Sequence, residues 1–196
     1  FMIEDACHAL GSNYLYKDKK YKIGSCKHSD MSVFSLHPLK TITTGEGGMI
    51  STNNKKLYNN CKTIRNLCFG KKQRFNHDDI GWNYRMTNLQ ATLGISQLNN
   101  INQTVNKKKQ IGKRYFKNFS NNKNLLILPP SNTYAQNIYW VVGVLIKNKK
   151  MKANLLIKKL KKFGVISRPF FWPMHEQKIF KKMKLFKKDK FPNSKY

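Results

Sequence analysis

Cysteine is scarce in this chain, and its spacing is uninformative. Cys7, Cys26, Cys61 and Cys68 form no CxxC pair, which excludes a disulfide framework and fits a reducing cytoplasm. Cys26 and His28, with Asp30 nearby, could begin a metal site, but no second pair has zinc spacing, so ordinary loop residues and no metal are expected. Long apolar runs are missing too. The strongest, YWVVGVLI at 139–146, falls far short of the roughly 20 residues that cross a bilayer; it reads as a buried strand, and no membrane insertion is expected. FMIEDACHALG at the start lacks a basic region and meets acids at once, unlike a secretory leader. It opens in mid-strand, and the expectation is a fragment without its N-terminal part, with an end at Tyr196 that is equally abrupt. GEGG at 45–48 is not followed by Gly-Lys-Ser/Thr, which excludes a P-loop.

Acid is also in short supply: 9 Asp and Glu stand against 38 Lys and Arg, a formal net charge of +29. Such an excess ordinarily points to nucleic acid or an anionic membrane. Here the lysines run from Lys17 to Lys195 and travel with asparagine pairs such as Asn53-Asn54 and Asn99-Asn100. That pattern reads as a drift in residue usage, and no nucleic-acid module accompanies it. No nucleic-acid partner is expected, although a basic nucleic-acid-binding protein remains the competing reading. At 196 residues and 40% hydrophobic content, the chain can bury one fair-sized core or two small ones, which excludes general disorder.

The apolar periodicity alternates between strand and helix. Residues 1–5 read as a strand end, VFSL and GGMIST as two more strands, and KKLYNNCKTIRNL as a helix, an α/β layer pattern. CFGKKQRFNHDD, 68–79, reads as an exposed loop. Thr87 is a candidate N-cap for a helix carrying Leu89, Leu93, Ile95 and Leu98, and a second helix is expected over 101–119. MKANLLIKKLKKF reads as an amphipathic helix stopped by Gly164 and followed by a strand, VISRPFF. Its face packs on neighbouring strands or, in the rival reading, lies on a membrane surface. The expected division is 1–105 for a first domain and 106–196 for a small α+β domain.

FSLHPLKTITTGEGGMI, 34–50, sets Lys40 at a strand end, beside Pro38 and ahead of Gly45, Gly47 and Gly48. An aldehyde cofactor needs such an amine for a Schiff base, with small residues nearby so that ligands can approach the backbone. Ser35 could offer its hydroxyl to a phosphate. IEDACH, 3–8, ends another buried strand on an acid that can pair with a protonated pyridine nitrogen.

These stretches resemble the DegT/DnrJ/StrS-type sugar aminotransferases. The resemblance rests on IEDACHALGS (3–12), KIGSCKHSDMSVFSLHPLKTITTGEGGMIST (22–52), GWNYRMTNLQATLGISQL (81–98) and RPFFWPMHEQ (168–177). It implies an aspartate aminotransferase-like α/β fold (fold type I), here a partial large domain plus a small C-terminal α+β domain, with pyridoxal 5'-phosphate as cofactor. It further implies Lys40 as the lysine that holds the cofactor and moves a proton. Asp5 would partner the pyridine nitrogen, His8 lie against the ring, and Ser35 bind the phosphate. Asn83 would reach the cofactor of a second subunit in a homodimer. Glu46, Arg168 and His175 fall in segments that approach the sugar nucleotide, each with a bland alternative: holding the glycine loop, solvating a strand edge or capping a turn. Trp82 and Tyr84 read as core or interface aromatics. Relatives that dehydrate the sugar carry histidine at position 40, so lysine there implies transamination. The implied reaction moves an amine, most naturally from glutamate, to a nucleotide-linked 4-keto sugar for surface polysaccharide, lipopolysaccharide or flagellar glycan. GSCKHSDMSVFSLHP is most like enzymes acting on a UDP-linked sugar of the pseudaminic acid route, whereas GWNYRMTNLQA and RPFFWPMHEQ look more like GDP-perosamine synthase. A catalytically idle regulator on the same fold is the remaining alternative.

Overall fold

A computed structural model describes residues 1–70, 73, 75–128, 133–187 and 189–194. The chain forms two compact units, one of Phe1–Asn121 with Ile127–Val142, the other of Asn122–Leu126 with Gly143–Tyr196.

In the first unit, β1 (Ile3–Asp5) lies parallel to β4 (Met31–Ser35), with Ile3 opposite Met31 and Asp5 opposite Val33. β5 (Gly48–Ser51) returns antiparallel to β4, Ser35 opposite Gly48. Parallel neighbours cannot share a tight turn. The intervening chain therefore builds a hairpin of β2 (Asn13–Tyr16) and β3 (Lys19–Lys22), to which β7 (Ala135–Gln136) adds on the other edge of β2. At the hairpin tip Lys17 and Asp18 have φ of 47° and 60°, the left-handed pair that matches strand twist.

Side chains alternate along a strand, so the adjacent acids Glu4 and Asp5 part company. Glu4 turns into the sheet, accepting the buried Ser32 hydroxyl and the Gly24 N–H at 3.0 Å. Cys26 completes this knot: its buried thiol lies 3.4 Å from Ser32 Oγ and donates to the Ser51 carbonyl at 3.2 Å. Asp5 is left exposed at the end of β1.

α1 (Lys55–Ile64) is capped by Asn54, whose side chain accepts the N–H groups of Lys56 and Leu57. The 82–84 segment runs back along its end, with Trp82 N–H donating to Ile64 O at 2.8 Å and Tyr84 N–H to Arg65 O at 2.9 Å. The exposed loop expected over 68–79 is corrected at its start, because Cys68 is buried and donates to Ile80 O at 3.4 Å; residues 71, 72 and 74 lie outside the described residues. Trp82 and Tyr84 stack on each other and are both exposed, so neither is a core residue here.

α2 (Asn88–Leu98) starts, as expected, at Thr87, which forms a capping box with Gln90. Its apolar face of Leu89, Leu93, Ile95 and Leu98 is exposed. α3 (Ile101–Phe119) follows the 101–119 expectation and packs through Val105 and Gly112. A Cβ on Gly112 would come within 2.2 Å of Tyr139 Cδ2, so that helix position admits only glycine at this spacing.

The apolar run 139–146 is only half a strand. Tyr139 sits at φ 54°, its N–H donating to Asn137 Oδ1 at 2.8 Å, and β8 begins only at Gly143 (Gly143–Ile146). The Asn side chain supplies a local turn that competes with extended backbone, while Ile138 just before it is fully buried.

β8 pairs with β6 (Leu125–Leu128), whose first two residues belong to the second unit. α4 (Ala153–Lys162) ends where expected, at Gly164 with φ 74°. Leu156, Ile157 and Leu160 are half-buried on it, whereas Phe163 is exposed. The strand expected at VISRPFF is not one: 165–171 has no strand pairing, Ile166, Phe170 and Phe171 are exposed, and Pro169 offers no N–H to a ladder. A short α5 (Lys178–Lys182) follows a 3-10 turn at Met174–Glu176. Among the described residues no helix is long and apolar enough to cross a membrane, and no three His, Cys, Asp or Glu side chains cluster as metal ligands.

Candidate functional site

The site begins where β4 ends. After Ser35 the chain turns at His37–Lys40, with Pro38 in the second position and the Lys40 N–H donating to His37 O at 2.9 Å. Leu39 N–H donates to His37 Nδ1 at 3.2 Å, and the loop closes through Leu36 N–H to Gly47 O at 2.9 Å and Thr44 N–H to Leu36 O at 3.0 Å. Lys40 therefore rides on a hydrogen-bonded turn, half-buried.

One face of α2 pins this loop. Gln97 Nε2 donates to Thr43 O at 2.6 Å, while Thr43 N–H donates to Gln97 Oε1 at 3.2 Å. One turn earlier a Cβ on Gly94 would meet Thr44 Cγ2 at 2.8 Å, and Gln90 Nε2 donates to Glu46 O at 3.0 Å. Positions 90, 94 and 97 share a helical face. The glycines leave less open space than expected: Gly45, at φ 80°, faces nothing, but a Cβ on Gly47 or Gly48 would meet Thr44 Oγ1 at 2.4 Å or Phe34 O at 3.0 Å.

β1 and β4 are parallel, so Asp5 and Ser35 emerge at the same, C-terminal, edge. In open α/β sheets that edge is where ligands bind. Asp5 Oδ1 accepts the Cys7 N–H at 3.1 Å. Hydrogen bonding from the Cys7 thiol and N–H, helped by the positive charge of Lys40, holds the Asp5 carboxyl below the usual carboxylate range. Burial and the neighbouring Asp5 push the Cys7 thiol up. Ser35 Oγ accepts the His37 N–H at 3.4 Å.

His8 follows three residues after Asp5 and stacks on Trp140, ring centroids 3.7 Å apart and planes at 13°. Lys40 Nζ lies 4.6 Å from the centroid of that same indole, within cation–π range. Trp140 Nε1 donates to Leu39 O at 2.5 Å. Partial burial, then the charge of Lys40, lowers the His8 pKa from its ordinary 6.5, so the ring is neutral at pH 7. Lys40, Asp5 and His8 thus occupy one neighbourhood, with the Trp140 indole in contact with both lysine and imidazole.

Glu46 is exposed, its Oε1 3.8 Å from His37 Nε2, and its carbonyl ties the glycine loop to Thr44 and Gln90. Asn83 is exposed and pairs through its backbone with Asn66. In the second unit, Arg168 is exposed in irregular chain. His175 stacks on Phe191 at 4.3 Å and lies 3.4 Å from Ser194 Oγ.

Sequence reasoning missed Trp140, Gln90 and Gln97. Gln97 could have been found, because it lies one turn after Leu93, a polar residue on the leucine side of α2. Trp140 carried no such signal, being embedded in an apolar run.

Parallel strands delivering a lysine, a carboxylate and a flat imidazole to one edge define part of an aspartate aminotransferase-like, fold type I α/β protein. The chain belongs to the DegT/DnrJ/EryC1/StrS aminotransferase family, which it matches over residues 1–196. It is 34% identical to a GDP-perosamine synthase of Escherichia coli O157:H7 over 183 residues, 92% of this chain and 47% of the relative. A UDP-4-amino-4,6-dideoxy-N-acetyl-beta-L-altrosamine transaminase of Campylobacter jejuni is 41% identical over 123 residues, 62% of this chain and 31% of the relative. Among solved structures, Helicobacter pylori PseC, an aminotransferase involved in the biosynthesis of pseudoaminic acid, superposes with a TM-score of 0.83 at 28% identity, over 98% of this chain and 50% of PseC. The chain spans about half the length of the relatives it matches.

Proposed function

We propose that the complete protein is a pyridoxal 5'-phosphate-dependent aminotransferase that moves an amino group from glutamate to a UDP- or GDP-linked 4-keto-6-deoxy sugar for surface polysaccharide, lipopolysaccharide or another glycan. The observation that carries this reading is the meeting of Lys40, Asp5 and His8 at the C-terminal edge of two parallel strands. Family membership and the nucleotide-sugar relatives support the substrate class.

The donor set suits that cofactor. Asp5 keeps its negative charge because Cys7 hydrogen-bonds it, which is what a protonated ring nitrogen needs opposite it. His8 is neutral and flat, suited to lie against an aromatic ring. When bound, pyridoxal 5'-phosphate supplies an aldehyde for the amino group and a ring that stores the electron pair released from the donor carbon. Lys40 Nζ would hold the cofactor and would carry the proton between the amino-acid carbon and the cofactor carbon. Asp5 would hold the proton on the ring nitrogen, Ser35 Oγ would offer a donor to the phosphate, and the turn at His37–Lys40 fixes the backbone from which Nζ reaches. Lysine at position 40, in place of the histidine of sugar-dehydrating relatives, fits proton return and amine transfer.

Asn83, exposed on its own subunit, would reach the phosphate held by a second copy, so that the working unit would be a homodimer with shared sites, acting in the cytoplasm. Glu46 in the first unit, and separately Arg168 and His175 in the second, are the candidates for contact with the sugar nucleotide. The test uses the full-length protein loaded with cofactor. Glutamate should remove the visible absorbance of the bound cofactor, and a UDP- or GDP-linked 4-keto sugar should restore it, the responding arm naming the nucleotide. Loss without recovery on either sugar defeats the substrate assignment. No response to glutamate, with cofactor bound, favours an idle regulator.

A further inference from the structure

Trp140 makes three contacts that no motif assigned to it. Its indole face stacks on His8 at 3.7 Å, its ring carries Lys40 Nζ at 4.6 Å, and its Nε1–H donates at 2.5 Å to Leu39, the residue directly before Lys40. The indole is itself firmly seated. Ile138 is fully buried, Tyr139 is locked in its left-handed turn by Asn137, and the Tyr139 ring packs against Gly112 and, edge-on, Phe116 at 5.7 Å on α3. A rigid element thus grips both the backbone of the Lys40 turn and the imidazole at the end of β1.

We propose that Trp140 is a positioning residue that clamps His8 to the Lys40 turn through its indole and so sets where the Lys40 amine and the His8 ring stand relative to each other. This rests on the reading of Lys40 as the cofactor-holding lysine. A side chain must be held within fractions of an ångström by its supporting shell to react efficiently. Lysine has a long flexible stem that nothing else in its turn orients, since the turn bonds fix only its backbone. The flat surface of Trp140 supplies the missing orientation by cation–π attraction, and its Nε1–H keys that surface to the turn.

The experiment compares full-length wild type with Trp140→Leu, Trp140→Phe, His8→Ala and Lys40→Ala. Two quantities are read: half-saturation by pyridoxal 5'-phosphate, and the rate at which cyanoborohydride fixes the cofactor to the protein, located by mass spectrometry. Trp140→Leu should slow fixation about tenfold, and Trp140→Phe, which keeps a ring face but loses the donor, should recover most of that loss. Combined with His8→Ala, Trp140→Leu should cost less than the sum of the two alone, because each breaks the same stack. Fixation in Trp140→Leu within about twofold of wild type overturns the clamp. Equal losses in the Leu and Phe variants overturn the role of the ring face. Additive losses with His8→Ala do the same for the coupling, and this arm needs only the milder Phe variant if the Leu variant fails to fold. Lys40→Ala separates the two levels: if it still takes up cofactor covalently at the wild-type site, the lysine reading itself is wrong, whereas abolished fixation there with an unaffected Trp140→Leu rejects the clamp alone.

Discussion

Gln97 on α2 pairs its side-chain amide with both backbone groups of Thr43, donating to the carbonyl at 2.6 Å and accepting the N–H at 3.2 Å. A single glutamine thereby does for the loop after Lys40 what a neighbouring strand would do in a sheet. Gln90, two turns earlier on the same helical face, ties Glu46 while also closing its own helix cap, so helix start and loop position are coupled.

Gln97→Ala leaves both Thr43 groups without those partners. Stability of the full-length protein in urea should fall by about 1–3 kcal/mol, and cofactor uptake should weaken with it. Gln97→Leu should be no better, because it restores size but not the two bonds. Unchanged urea midpoints in both variants would count against the pinning role.

Lys40→Ala removes the amine proposed as both nucleophile and proton carrier. Turnover of glutamate should fall by at least about 10²–10⁴-fold, and reductive fixation of the cofactor should vanish while non-covalent binding persists. Residual turnover near wild type would reject Lys40 as the catalytic group.

Asp5→Asn keeps the shape but loses the charge proposed to pair with the cofactor ring nitrogen. A charge-assisted bond contributes about 1.5–3 kcal/mol, so activity should drop roughly ten- to hundredfold, visible in the glutamate half-reaction. The Cys7 N–H bond that lowers the Asp5 pKa can still be accepted by an asparagine oxygen, so the fold should survive.

His8 gives a pH signature. Its folded pKa lies below the ordinary 6.5 because burial and Lys40 disfavour the charged ring. The unfolded chain therefore binds a proton first as pH falls, and stability present above pH 6.5 is lost progressively below it. Thermal midpoints measured from pH 7.5 down to 5 should drop in wild type and drop less in His8→Gln. Parallel curves would show that His8 does not contribute.

Gly112→Ala pushes a methyl into the Tyr139 ring, which stands 2.2 Å from the ideal Cβ position. Overpacking of this kind costs about 1–3 kcal/mol. Because Tyr139 precedes Trp140, the near-ultraviolet circular dichroism of the indole should change as well as the melting temperature. A Gly112→Ala protein as stable as wild type would mean that Tyr139 moves aside freely.

Much of the secondary structure could be read from local pattern. The capping residue Thr87, the helix over 101–119, the stop at Gly164 and the strands around 31–35 and 48–51 obey rules confined to a few neighbouring residues. The VISRPFF strand failed because β-branched and aromatic residues favour a strand only when a partner supplies the ladder, and Pro169 withholds a donor. YWVVGVLI failed in its first half because the Asn137 side chain bends the backbone before hydrophobicity can extend it.

The chemistry divides in the same way. Lys40, Asp5, Ser35 and His8 stand at strand ends within short motifs, so residue order alone determined which groups could be reactive. The tertiary structure decided which of them share a space, and it did so through residues with no local mark. Parallel pairing of β1 with β4 brings Asp5 to the edge that carries the Lys40 turn, α2 holds the loop after that turn by Gln97, and a tryptophan from far along the chain touches both lysine and imidazole. Such contacts depend on loop closure and packing over long separations, which no periodicity encodes.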